Sequence, residues 1–158
     1  MFLLTEPSEK QLRSFLEAQK ELPFSYVEVG ASKQGAPPGF NVDHNRIKLG
    51  EDAESFALAV RAIQSWQMFN LGWVRVFQQD APIEVGTCAV VIVRHFGFYS
   101  LNACRIVYLI DEGAPVKKYG FAYGTLKEHA ESGEERFSIE WNQENDCVTY
   151  DLFAFSQP

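Results

Sequence analysis

Between Val116 and Trp141 the chain alternates with the two-residue period of half-buried strands. Tyr119, Phe121, Tyr123 and Thr125 share one face of a first strand, and Phe137, Ile139 and Trp141 share one face of a second. The opposite faces carry Gly120, Ala122 and Gly124, then Arg136, Ser138 and Glu140, and an acidic loop over 127–134 joins the two strands. Glycine inside a strand has no side chain to pack, so alternating glycines predict a close neighbour against the Gly120–Gly124 face.

Upstream, Pro7 and the spacing of Leu12, Phe15 and Leu16 predict a helix over 7–19, with Glu9, Lys10, Arg13 and Glu17 outward. Pro23 ends it, and 24–29 reads as a short strand stopped by Gly30. The Gly- and Pro-containing stretch 31–39 reads as a surface loop. Residues 40–49 alternate as a strand interrupted at Asp43, His44 and Asn45. A second helix is expected over 53–69, its apolar stripe made by Phe56, Ala59, Val60, Ile63 and Trp66, with acidic residues at its start and a stop near Gly72. From Trp73 strands follow one another at 73–77, 83–95, 101–110, through the 116–141 hairpin, and at 147–155. Links this short join antiparallel neighbours, because a parallel return needs a crossover of about a dozen residues or more. The chain therefore predicts an α+β fold: a curved antiparallel sheet of six to eight strands, mostly a C-terminal meander, packed on one or two helices.

With 158 residues the chain is long enough for one domain, 1–158, with a sizeable core. A formal net charge of −7, with no basic cluster longer than Lys117-Lys118, argues against nucleic acid and anionic membrane surfaces as partners. Cys88, Cys104 and Cys147 stand apart inside apparent strands, as reduced thiols of a cytoplasmic protein do. The N-terminus is too quickly acidic for a signal peptide, and the apolar run at 88–93 is far below the roughly 20 residues a spanning helix needs.

Two strands are apolar on both faces. Cys88, Val90 and Ile92 alternate with Ala89, Val91 and Val93, and Cys104, Ile106, Tyr108 and Ile110 alternate with Ala103, Val107 and Leu109. The middle of the sheet must then be covered twice, by a second layer of the same chain, by a partner subunit, or by an apolar cargo.

The strings WQMFNLGWVRV, SLNACRIVYLIDE, YGFAYGTLKEHAESGEERFSIEW and YDLFAFSQP, with FSYVEVGAS and GFNVDHNRIKLG before them, resemble uncharacterised protein family 0548 of bacteria and plants. The resemblance runs from about Phe24 onward. It implies a small soluble protein of helix-grip or START-like form, or a half-open barrel, in which a curved sheet wraps a helix and often a pocket. It implies no activity. Family members continue beyond the segment matching 154–158 into a basic stretch, whereas this chain stops at Pro158, so the 53–69 helix is the one expected in the palm of the sheet.

Arg94 and His95 follow the apolar run of one strand and Arg105 interrupts the next. As a hairpin, this would gather the three near its turn, as an anion subsite or as surface partners of Asp111, Glu135 or Glu140. His129 lies among Glu128, Glu131, Glu134 and Glu135, but no ligand spacing of the HExxH kind supports a metal. His44 reads as a turn residue. GxSxG, P-loop and GxGxxG patterns are missing, and no cofactor is indicated. The remaining candidates for a ligand site are Trp66, Trp73, His95, Arg105, Tyr108, Tyr123 and Trp141, with Tyr119 and Phe121 beside them. Three functions fit: a binder enclosing a small apolar or aromatic molecule between sheet and helix, an enzyme acting on such a molecule through His95 or His129 with Tyr123 or Arg105, or a homodimer that covers its own apolar face.

Overall fold

The computed structural model describes the whole chain, Met1–Pro158. The alternating stretches become β3 (Val74–Phe77), β4 (Cys88–Arg94), β5 (Tyr99–Glu112), β6 (Val116–Thr125), β7 (Ser132–Asn142) and β8 (Cys147–Gln157), preceded by β1 (Phe2–Leu3) and β2 (Asn41–Glu51). They form one eight-stranded antiparallel sheet, curled as a half-barrel, in the order β2-β8-β7-β6-β5-β4-β3, with β1 on β5. From β3 to β8 each strand pairs with the next, so the meander expected from the short links is the architecture.

Two helices cover the two faces. Helix α1 (Glu9–Gln19) starts from a reciprocal cap in which Ser8 Oγ accepts from the Gln11 amide and Gln11 Oε1 accepts from the Ser8 amide. Its Leu12, Phe15 and Leu16 pack on Val90, Ile92, Leu101, Ala103 and Leu126. Helix α2 (Asp52–Gln64) lies on the other face, where Phe56 and Ile63 join Ala89, Val91, Cys104, Ile106, Phe121 and Phe137. The doubly apolar β4 and β5 are thus covered by a layer of the same chain on each side. No helix is long and apolar enough to cross a membrane.

The strand expected over 83–95 begins only at Cys88, after a turn at Val85 and Gly86, and three further expected elements come out differently. Residues 24–29 form no strand; a single bridge links Phe24 to Leu126, and the segment crosses the α1 face tied by side chains instead. β2 runs unbroken through Asp43, His44 and Asn45, because β8 supplies a continuous partner for each. Helix α2 stops at Gln64 rather than near residue 69. Trp66 takes a left-handed backbone (φ 56°) that turns its ring into the core, fully buried, with Nε1–H donating to the Ala81 carbonyl at 3.0 Å, and a 3-10 turn follows at Gln67–Phe69. Burial of the indole outweighs the backbone cost, which is of order 1–3 kcal/mol for such conformations.

The close neighbour predicted for the glycine face is the β7 backbone of Phe137 and Ser138 at Gly120 and Tyr26 at Gly124. A Cβ added at Gly124 would lie 2.2 Å from the Tyr26 phenolic oxygen and 2.9 Å from the Tyr26 ring.

Candidate functional site

The space between α2 and the sheet, expected as a hollow, is filled by rings. Trp66 packs against Phe121 (centroids 5.2 Å) and Phe69 (6.2 Å), Phe69 against Phe137 (5.6 Å), and Phe121 against Phe137 (5.4 Å). Phe69 ends this packing by stacking on Tyr123, 5.9 Å between centroids and 18° between planes.

Beyond Phe69 the same face opens into a cleft of about 250 Å³. Its floor is one row across four strands, since Tyr123 pairs with Glu135, Glu135 with Ala154, and Ala154 with Asp43. Its wall is the β6–β7 loop with His129 and Glu131. The loop is pinned at its base, where the Thr125 hydroxyl accepts from the Gly133 amide at 2.8 Å and donates to the Gly133 carbonyl at 3.1 Å.

Within this cleft Tyr123 Oη donates to Glu135 Oε2 at 2.5 Å. Burial raises the Glu135 carboxyl above the ordinary glutamate value; the Tyr123 hydrogen bond opposes the rise, and the charges of Asp43 and Glu131 reinforce it. Burial also pushes the Tyr123 phenol well up, so it remains a donor throughout the physiological range. His129 is lowered, again by burial first, and its Nδ1 accepts from the Glu131 amide at 3.0 Å. The neutral ring therefore carries its proton on Nε2. A desolvated carboxyl whose pKa is raised, beside a permanently protonated phenol, holds its proton to higher pH than an ordinary glutamate, the direction of shift that general acid–base chemistry uses. No three His, Cys, Asp or Glu side chains converge as a metal site would need.

Of the seven residues singled out from the sequence, Tyr123 alone lines this cleft. Trp66 is core. Trp73 is more than half exposed just outside β3. Trp141 is half-buried, packed on Phe56 and donating to Asp146 Oδ1 at 2.9 Å. Tyr108 faces the α1 side, its hydroxyl 2.6 Å from Ser32 Oγ and Lys33 Nζ 4.5 Å from its ring centre. His95 sits at the β4–β5 turn, stacked on Phe98 and 2.9 Å from Ser100 Oγ.

The expected gathering of Arg94, His95 and Arg105 does not occur. Arg94 pairs with Tyr99 and Cys88 with Arg105, so the tight turn leaves Arg105 at the far end of the β4–β5 ladder. There it caps the end of α1, donating to the carbonyls of Lys20 (2.7 Å) and Leu22 (3.0 Å). His44 is a strand residue whose Nε2 lies 2.8 Å from Asp151 Oδ2.

Glu135 escaped the sequence reading, which took it for a loop acid or an arginine partner. Extending the inward period of Trp141, Ile139 and Phe137 by two more residues would have put it on the core face. Its neighbour Glu134 faces the other way. That buried carboxylate accepts from Tyr26 Oη (2.6 Å), the Gly30 amide (2.7 Å), the Ser32 amide (3.1 Å) and the Ser32 hydroxyl. Farther along the same face, buried Asp151 binds Arg46 Nη1 at 2.5 Å and Arg136 Nη2 at 3.1 Å. Both clusters are internally paired and hold the 24–40 segment and β2 in place.

Residues 25–158 match a family described as Domain of unknown function (DUF1990). The chain is 34% identical to a UPF0548 protein of Dictyostelium discoideum over 177 residues, covering 100% of this chain and 82% of that one. It is 36% identical to a UPF0548 protein of Deinococcus radiodurans over 169 residues, covering 99% and 83%. Among solved structures, a hypothetical protein of Helicobacter pylori superposes with a TM-score of 0.48 at 12% identity, over 85% of this chain and 78% of that one. With its match spanning nearly the whole sequence, the chain belongs to the uncharacterised UPF0548 family, whose function is unknown.

Proposed function

We propose that this chain acts as a single domain that binds a small molecule with an apolar body and one or more hydrogen-bonding groups in the cleft over Glu135. There Glu135 and Tyr123 would move or hold a proton on it, with His129 at the rim. The reading is carried by one observation: the 2.5 Å Tyr123–Glu135 hydrogen bond, made by a half-buried carboxyl that lines an open cleft. A structural carboxylate gains most when fully enclosed by donors, as Glu134 is. Glu135 has one donor and keeps an accessible side, which suits exchange with a bound molecule. The three free cysteines support work in a reducing compartment such as the cytoplasm.

The test is a panel of small aromatic and aliphatic amides, amines and alcohols at millimolar concentration, followed through the NMR signals of Ala154, Thr125, His129 and the Glu135 carboxyl. Binding that shifts these four together and is weakened in Glu135→Gln upholds the proposal. A panel that leaves all four unmoved, or binds equally well to the variant, overturns it.

A further inference from the structure

Where β4 turns into β5, three segments distant in sequence bring large apolar side chains into water together. Phe2 and Leu3 pair with Ser100 and Tyr99, the Arg94 amide donates to the Trp73 carbonyl at 2.7 Å, and the turn between Arg94 and Tyr99 carries Phe96 at its apex. Phe96 is fully exposed, Leu4 86%, Phe2 66%, Leu71 56% and Trp73 55%. The turn is nonetheless well held: His95 stacks on Phe98 at 4.4 Å and bonds Ser100, the His95 amide donates to the Phe98 carbonyl at 2.8 Å, and Phe2 meets Phe98 edge-on at 5.9 Å. Phe96 is thus presented outward by a braced turn.

The charge here is as distinctive as the apolarity. The chain has 21 acidic and 14 basic residues, yet residues 1–4, 71–73 and 94–98 contain no Asp or Glu and one Arg, Arg94. Glu6, the nearest acid in sequence, is engaged by Arg75 at 3.2 Å. The net charge that argues against membrane surfaces is an average over the chain and does not describe this end.

We infer that this tip is a membrane-docking device, in which Phe96, Leu4 and Phe2 enter the interfacial region of a lipid bilayer, with Trp73 and Arg94 at headgroup level. Aromatic and leucine side chains around an exposed turn, with an arginine beside them and the one nearby carboxylate, Glu6, paired to Arg75, match the composition of interfacial anchors. The five side chains expose on the order of 600 Å². A second copy of the chain would need about 800 Å² per partner and a complementary surface, whereas lipid adapts to a protruding apex.

The experiment is co-sedimentation of the full chain with vesicles of phosphatidylcholine alone and with one-fifth phosphatidylserine, comparing wild type, Phe96→Asp and the double variant Phe96→Asp/Leu4→Asp. Wild type should partition into both, more strongly into the anionic vesicles. Phe96→Asp should partition at least about tenfold less, by the loss of one buried aromatic side chain. All three should melt alike, since neither residue is packed in the core. A wild type that stays in solution at millimolar lipid, a Phe96→Asp variant that sediments as wild type does, or a dimer in light scattering that Phe96→Asp dissolves would each overturn the inference.

Discussion

Glu134 and Glu135 are consecutive in β7, and their carboxylates stand on opposite faces of one sheet: Glu134 binds the Tyr26–Ser32 segment, and Glu135 meets Tyr123 in the open cleft. The pleat alone separates a structural acid from a candidate chemical one. Their substitutions should therefore have opposite consequences.

Glu134→Ala leaves the donors of Tyr26, Gly30 and Ser32 without their acceptor. Because each buried donor left unpaired costs about 1–3 kcal/mol, the variant should lose roughly 3 kcal/mol or more. The Gly30 and Ser32 amides should lose protection in hydrogen exchange, and Glu135→Ala should leave those two amides protected.

For Glu135 the sign runs the other way. Its folded pKa is raised by burial, so between the ordinary value and the raised one the folded state holds more proton than the unfolded state. Stability falls as pH climbs through that window, and the loss is complete above it. Glu135→Gln, which cannot ionise, should melt above wild type at pH about 7 and lose that advantage as pH falls toward about 4. Differential scanning calorimetry across that range decides it; a variant less stable than wild type at neutral pH would contradict the desolvated carboxyl.

Removing the phenol hydroxyl isolates its effect on that carboxyl. Tyr123 donates to Glu135 and favours its charged form, so Tyr123→Phe should raise the Glu135 pKa further. The observable is the carboxyl carbon shift of Glu135 followed by NMR against pH in the two proteins, and a midpoint that stays or moves down would refute the assignment.

Gly124 meets Tyr26 too closely for any side chain, although its own backbone is ordinary. Since the Tyr26 hydroxyl is held by Glu134, the ring has no free direction in which to retreat. Gly124→Ala should cost about 1–3 kcal/mol by overpacking, a fall in Tm of about 2–4 °C for each kcal/mol. The same substitution in a Tyr26→Ala background should cost far less.

Burial alone would raise Asp151, but hydrogen bonds from His44, Arg136 and Arg46 outweigh it and hold the carboxylate below its usual range. A depressed folded pKa contributes stability above the unfolded value, and that contribution is lost as pH falls through the folded one. Asp151→Asn leaves Arg136 without its carboxylate and should cost about 3 kcal/mol or more. His44→Ala removes a partner that is nearly half exposed and should cost under about 1 kcal/mol. Urea unfolding at neutral pH separates the two.

Alternating hydrophobicity made the meander, its strand order from β3 to β8 and the two amphipathic helices legible in the sequence, because period and link length act locally. The double apolarity of Val90/Val91 and Ala103/Cys104 likewise demanded two covering layers before either was seen. Gly120 and Gly124 called for a close neighbour, although nothing in the spacing pointed to Tyr26, about 100 residues upstream.

What the tertiary structure decided is which of the inward-facing polar groups meet water. Trp66, Trp141 and Tyr108 are aromatic residues at core phase just as Tyr123 is, yet only Tyr123 falls where the helix has ended and Phe69 closes the packing. Arg105 and His95 looked like neighbours until the β4–β5 register set them apart. The physical reason is that periodicity assigns a residue to a face, whereas the extent of the layer above that face depends on contacts between distant segments. A site arises where that layer stops, and no local pattern in the chain records the place.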